Sequence, residues 1–211
     1  MKLFGLACEG ITDQITIENI LCGYFENPNL NEEIAYLQPF LDESDQSRSE
    51  GGWRTLLQYL ASDRFQQDVS SCQFLILQID TDILKELAVQ NAQNLSVESL
   101  IQEVIKIIIN KINQDQTNFY EQCANKIIFA ICVHSLECWF VSFYSEQSEI
   151  YDCNDILKRL PISSNIRITK KPKNYNQLSQ PFLIKENIDV VSQKDPSFRI
   201  FIQAIESIQI L

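Results

Sequence analysis

The stretch FLILQIDTD, Phe74–Asp82, decides the fold. Its first six residues are almost wholly apolar and run without a turn signal into Asp80-Thr81-Asp82. An apolar run of this length, closed by polar residues, reads as a strand buried on both faces, as in a parallel sheet. Working outward, Lys2–Cys8 (KLFGLAC) is a second such run and stops at Glu9-Gly10, and Lys126–Val133 (KIIFAICV) is a third. Ile34–Phe40 supplies a further strand. Helical spacing fills the intervals. Thr12–Phe25 carries Ile15, Ile17, Ile20, Leu21 and Tyr24, with Thr12 or Asp13 as its expected cap and Asn27-Pro28 as its stop. Trp53–Phe65 places Trp53, Leu56, Leu57 and Leu60 on one face. Val97–Ile112 follows Ser96 as cap, with Glu98 and Glu103 early and Lys106 and Lys111 late, as the helix dipole prefers. Strands alternating with helices predict an α/β fold of about four parallel strands flanked by helices.

After residue 150 the pattern changes to a short helix, a basic loop and a terminal helix near Pro196–Ile210. The expected division is an α/β domain over 1–150 and a small, mostly helical extension over 151–211, packed on it. The polar run LDESDQSRSEGG, residues 41–52, reads as a loop.

With 211 residues, 45% hydrophobic and 21% charged, and only 5 Gly and 6 Pro, the chain can bury one good-sized core. Collagen-like, low-complexity and disordered classes are excluded. No stretch reaches the roughly 18 apolar residues of a membrane span; the longest, Lys126–Tyr144, is broken by His134 and Glu137. The opening MKLFGLACEG lacks the apolar core of a secretory signal, so a cytoplasmic protein is expected. Seven cysteines form no CxxC pair, which reads as buried, reduced thiols. With His134 the only histidine, no structural zinc site is expected.

The net charge of −11 argues against general nucleic-acid binding. Its distribution does not. Between Lys158 and Lys185 the chain carries Lys158, Arg159, Arg167, Lys170, Lys171, Lys173 and Lys185 and no acid. The rest of the chain is strongly acidic.

In a parallel sheet, sites gather at the carboxyl ends of the strands. Glu9 falls there after the first strand, Asp80 and Asp82 after the third, and Glu137 shortly after the fourth. Asp13, four residues beyond Glu9, shares its side once the helix has begun. Carboxylates gathered at one edge repel and shift one another's pKa unless a cation neutralises them, and hard oxygen ligands suit Mg²⁺ or Mn²⁺. Each acid alone also reads as ordinary surface or as a helix cap. The conjunction of order, strand context and separation is what carries the site.

These residues resemble a known group. Glu-Gly after the first strand and a later strand ending in DxD look like the TOPRIM domain of topoisomerases, bacterial primases and OLD-type nucleases. CEGITDQITIENIL is similar to the EGxxD opening of the nuclease-like branch, and LILQIDTD to its DxD. VHSLECWF resembles the H-x-x-E-x-W segment of small stand-alone prokaryotic TOPRIM proteins, and KPKNYNQLSQPFLIKENIDVV…DPSFRIFIQAI resembles their ending. The resemblance implies a Rossmann-like TOPRIM fold and Mg²⁺- or Mn²⁺-dependent phosphodiester hydrolysis on DNA or structured RNA. It gives catalytic roles to Glu9, Asp80 and Asp82, and metal-ligand roles to Glu9, Asp13, Asp80, Asp82 and Glu137. It also implies a phage-defence effector partnered by an ABC- or SMC-like ATPase on a separate chain, since no Walker motif is present. Lys158, Arg159, Arg167, Lys170, Lys171 and Lys173 would then hold the nucleic-acid backbone.

The competing expectation is a catalytically silent TOPRIM-fold subunit that binds or regulates the ATPase. Phosphoryl transfer on an aspartate fits less well. A dehalogenase-type phosphatase carries its DxD after the first strand, where this chain has Glu9-Gly10. A phosphoacceptor receiver needs an acidic pair there.

Overall fold

The computed structural model describes residues 1–40, 51–85, 94–146, 152–160, 162 and 169–208. Four strands, β1 (Lys2–Ala7), β2 (Ile34–Gln38), β3 (Cys72–Asp80) and β4 (Ile127–Cys132), form an all-parallel sheet in the order β2-β1-β3-β4. The fold is therefore α/β and Rossmann-like. Phe4 lies opposite Phe74, Leu75 opposite Ile127, and Asp80 opposite Cys132. The strand order reverses between β1 and β3, because β2 lies on one side of β1 and β3 on the other. At such a switch point the connections leave in opposite directions and open a crevice beyond the strand ends.

The helices are α1 (Ile11–Tyr24), α2 (Trp53–Leu60), α3 (Asp63–Ser71), α4 (Val97–Ile112), α5 (Phe119–Cys123), α6 (Glu137–Tyr144), α7 (Cys153–Arg159), α8 (Pro172–Ser179), α9 (Lys185–Lys194) and α10 (Pro196–Glu206). Alternation along β3 sorts its side chains between two cores. Leu75, Leu77 and Ile79 face α2, α3 and α4, packing with Leu56, Leu60, Phe65, Val104 and Ile108. Phe74 and Ile76 face the other layer, where Ile17 and Leu21 of α1 meet Trp139, Phe140, Phe182, Phe198 and Phe201. Residues on both sides of position 150 thus share one core. Fully burying each such side chain contributes ~1.5–3 kcal/mol, so the sheet is held from both faces.

The C-terminal helices are fastened to α1 at two points. Asn19 Nδ2 donates to Ser179 Oγ at 2.6 Å and to Asn176 Oδ1 at 3.2 Å. At Gly23 the backbone of Phe182 and Leu183 comes so close that any Cβ would collide with it. Trp139 Nε1 donates to Ser197 Oγ (2.9 Å), and Asp195 caps α10 by accepting from Phe198 N (2.9 Å).

Four expectations are corrected. The helix expected over Trp53–Phe65 is two helices, because Ser62 ends one by donating to Tyr59 O (2.7 Å) and caps the next by accepting from Phe65 N (3.4 Å). α1 begins at Ile11 with Gly10 as its cap, so Thr12 and Asp13 lie inside the first turn and neither caps it. The basic stretch is not one loop: Lys158 and Arg159 end α7, and α8 starts after Lys171 with Pro172 at its first position, where a missing N–H costs nothing. Finally, the seven cysteines are not all reduced. Cys138 in α6 and Cys153 in α7 form a disulfide, while Cys8, Cys22, Cys72, Cys123 and Cys132 are free and buried. Packing of α6 on α7 creates that pair, at a separation of 15 residues, with no local motif to announce it.

Among the described residues no helix is long and apolar enough to cross a membrane. The run 41–50 of the expected loop lies outside the described residues.

Candidate functional site

The carboxyl ends of β1 and β3 place Glu9 and Asp80 side by side at the switch point. The Asp80 backbone N–H donates to Glu9 Oε1 at 2.8 Å, so the two strand ends are tied through the acid itself. Gln78, fully buried two residues before Asp80 and on the same strand face, links them a second time. Its Oε1 accepts from Glu9 N (3.2 Å), and its Nε2 donates to Asp80 Oδ1 (3.0 Å). Asp80 Oδ1 also accepts from Leu136 N at 3.1 Å, which fixes the approach to α6. The backbone closes around Glu9 as well: Gly52 N donates to Glu9 O (2.6 Å), and a Cβ on Gly51 would lie 2.6 Å from that same oxygen.

The turns after β3 and β4 are stapled together. His134 N donates to Thr81 Oγ1 (2.8 Å), and Asp82 N donates to His134 O (3.2 Å). His134 adopts positive φ (66°), a region histidine tolerates better than branched residues do. Its side chain is exposed and lines a separate cleft with Cys138, Lys194 and Asp195. The staple delivers Glu137, the first residue of α6, to the carboxylate group. Glu137 is only 2% exposed. Its Oε1 accepts from the Tyr175 hydroxyl and lies 3.6 Å from Lys170 Nζ, whereas Oε2 is buried with no hydrogen-bond partner.

Glu9, Gly10, Asp13, Asp80, Gly51, Lys170 and Pro172 line a cleft of about 340 Å³. The electrostatics follow from crowding. Burial, with the charges of Asp82 and Glu137, pushes Glu9 up to about 7 against the helping Asp80 N–H. Burial and the charges of Glu9 and Glu137 push Asp13 to about 7. Asp80 is raised well above the ordinary carboxylate range by burial and by Asp13, Glu9 and Glu137. Glu137 goes the other way: burial acts to raise it, but the Tyr175 hydrogen bond and the Lys170 charge prevail and lower it. Burial acts to lower the Lys170 ammonium, and the facing Glu137, Asp80, Asp13 and Asp82 outweigh it and raise it.

All five acids expected from the sequence therefore act on one another, drawn from the turn after β1, α1, β3, the turn after β3, and α6. Asp82 is exposed and does not line the cleft. Of the basic residues, Lys170 alone among the described ones lines the cleft. Lys158 pairs with Asp155 on α7 (2.9 Å), Arg159, Lys171 and Lys173 are exposed, and Arg167 lies outside the described residues. Sequence reasoning missed Gln78 and Tyr175. Gln78 did have a signal, being the one polar side chain within the apolar run that leads to Asp80.

As placed, no three His, Cys, Asp or Glu among the described residues form a ready-made metal group. The donor chemistry nevertheless fits a hard divalent cation. Every acid in the cleft presents carboxylate oxygen, their charges are unbalanced, and a buried oxygen of Glu137 has no partner. The chain matches no protein-family model, no curated protein and no solved structure.

Proposed function

We propose that this chain is a TOPRIM-type, Mg²⁺- or Mn²⁺-dependent nuclease that hydrolyses phosphodiester bonds in DNA or structured RNA. On this reading it is an anti-phage defence effector whose partner is an ABC- or SMC-like ATPase on a separate chain. One observation carries the reading: mutually repelling carboxylates from separate elements converge at the switch point of a parallel sheet, with Glu137 Oε2 buried and unpartnered. Glu9, Asp13, Asp80, Asp82 and Glu137 are the residues that would hold the ion. Bound there, it supplies Lewis acidity toward a phosphodiester. Glu9 is anchored at Oε1 by the Asp80 amide, which leaves its second carboxylate oxygen to meet the ion or the attacking water. Lys170 faces the same cleft and would orient the phosphate, while Lys158, Arg159, Lys171 and Lys173 would contact the backbone beyond it.

A silent regulatory subunit is the second reading. It is favoured by the absence of a preassembled three-ligand group among the described residues. A cleavage assay on plasmid DNA and total tRNA, with Mg²⁺ or Mn²⁺, separates the two. Wild type and Asp80→Ala are each assayed with and without an ATPase recovered by co-purification. Cleavage by wild type that disappears in Asp80→Ala supports the nuclease. No cleavage under any condition, with the fold intact, sinks it in favour of the silent subunit.

A further inference from the structure

Lys170 occupies an unusual place for a residue so open to solvent. Its side chain is 69% exposed, yet Nζ lies 3.6 Å from Oε1 of a glutamate that is almost wholly buried. It lines the same cleft as Glu9, Asp13 and Asp80. One ammonium cannot balance this many carboxylates, and Glu137 Oε2 remains without a partner beneath it. A divalent ion taken up by the same oxygens would sit within a few ångströms of Nζ, and two cations at that range repel. The lysine has a ready way out. Its four-carbon stem is flexible, and its exposed head need not leave any buried niche. Tyr175 differs, being buried and bonded to the same Glu137 oxygen from α8, which Asn19 clamps to α1.

We propose that Lys170 is a resident counter-ion of the acidic cleft, displaced when a divalent cation binds and thereby released to meet a phosphate at the cleft mouth, while Tyr175 keeps Glu137 in place. This rests on the metal-dependent reading above and adds an order of events to it. Metal and Lys170 compete for the acids, and the lysine becomes available to substrate only once metal is bound.

Calorimetric titration with MnCl₂ alone, on the full chain without nucleic acid, tests the competition. Lys170→Gln removes the competitor and is expected to tighten Mn²⁺ binding about fivefold, the scale of one partly exposed ion pair. Lys106→Gln, removing the same charge from an exposed lysine of α4 that does not line the cleft, should leave it unaltered. In wild type, Mg²⁺ should also increase acetylation of the Lys170 amine by a soluble anhydride. Equal or weaker Mn²⁺ binding by Lys170→Gln overturns the proposal while leaving a metal-dependent site standing. Equal tightening by both variants also overturns it, since that is only a general charge effect. If neither wild type nor Lys170→Gln binds Mn²⁺, this proposal and the metal-dependent function fall together.

Discussion

Both ends of the Gln78 amide are committed to the strand ends. Gln78→Leu keeps the volume but leaves the Glu9 N–H without its acceptor and Asp80 Oδ1 without one donor. It is expected to cost about 1–3 kcal/mol, the penalty for unsatisfied buried polar groups, measurable by urea denaturation. Protonation offers a second residue-scale test. Glu9 and Asp13 titrate near 7 in the folded chain, against ordinary values of 4.5 and 3.8. Between these limits the native state holds protons that the unfolded state has released, so these two groups make stability fall as pH rises, with the penalty complete above about pH 7. In Asp13→Asn the decline from pH 4 to pH 8 should therefore be shallower, and the variant more stable than wild type at pH 8. Mg²⁺ should recover stability at pH 8 in wild type more than in the variant. Denaturant midpoints with and without Mg²⁺ would show it; a wild-type slope retained in Asp13→Asn counts against the crowded-carboxylate account.

At the level of elements, the strands were legible because burial on both faces demands uninterrupted apolar runs, and β1, β3 and β4 are such runs. Acids directly after two of them were legible for the same reason. What escaped was set by contacts between distant segments. Ser62 interrupts a helical pattern that apolar spacing alone would continue, and α8 forms on the surface of α1 within a stretch whose charges suggested a loop. Tyr175 and Lys170 meet Glu137 only after α8 has docked, so no local spacing marks them. The Cys138–Cys153 link is of the same kind. It joins the helix that begins with Glu137 to the one that ends with Lys158 and Arg159. Reduction should lower stability by about 3 kcal/mol, the chain-entropy value for closing a loop of this length. Denaturation with and without dithiothreitol would measure it. Cys138→Ser/Cys153→Ser should match the reduced protein and be insensitive to the reagent.

For the molecule as a whole, strand order and charge work together. The order β2-β1-β3-β4 puts the acids at a crevice, and the chain's net charge of −11 repels any polyanion that approaches elsewhere. Nucleic-acid binding along the proposed path should depend on the exposed bases Lys158, Lys171 and Lys173. Lys158→Gln, Lys171→Gln and Lys173→Gln together should weaken oligonucleotide binding and reduce the slope of log affinity against log salt by about one for each phosphate no longer neutralised. An unchanged slope in fluorescence anisotropy would make these lysines ordinary surface. The cleft also draws on chain positions from Glu9 to Tyr175. A ribosome making this protein therefore lays down the acids long before it lays down what steadies them. Until residues 170–175 emerge, Glu137 has neither its tyrosine nor its lysine. A chain interrupted before them also lacks Phe182, Phe198 and Phe201 of the shared core, so a segment synthesised late completes both the core and the crevice.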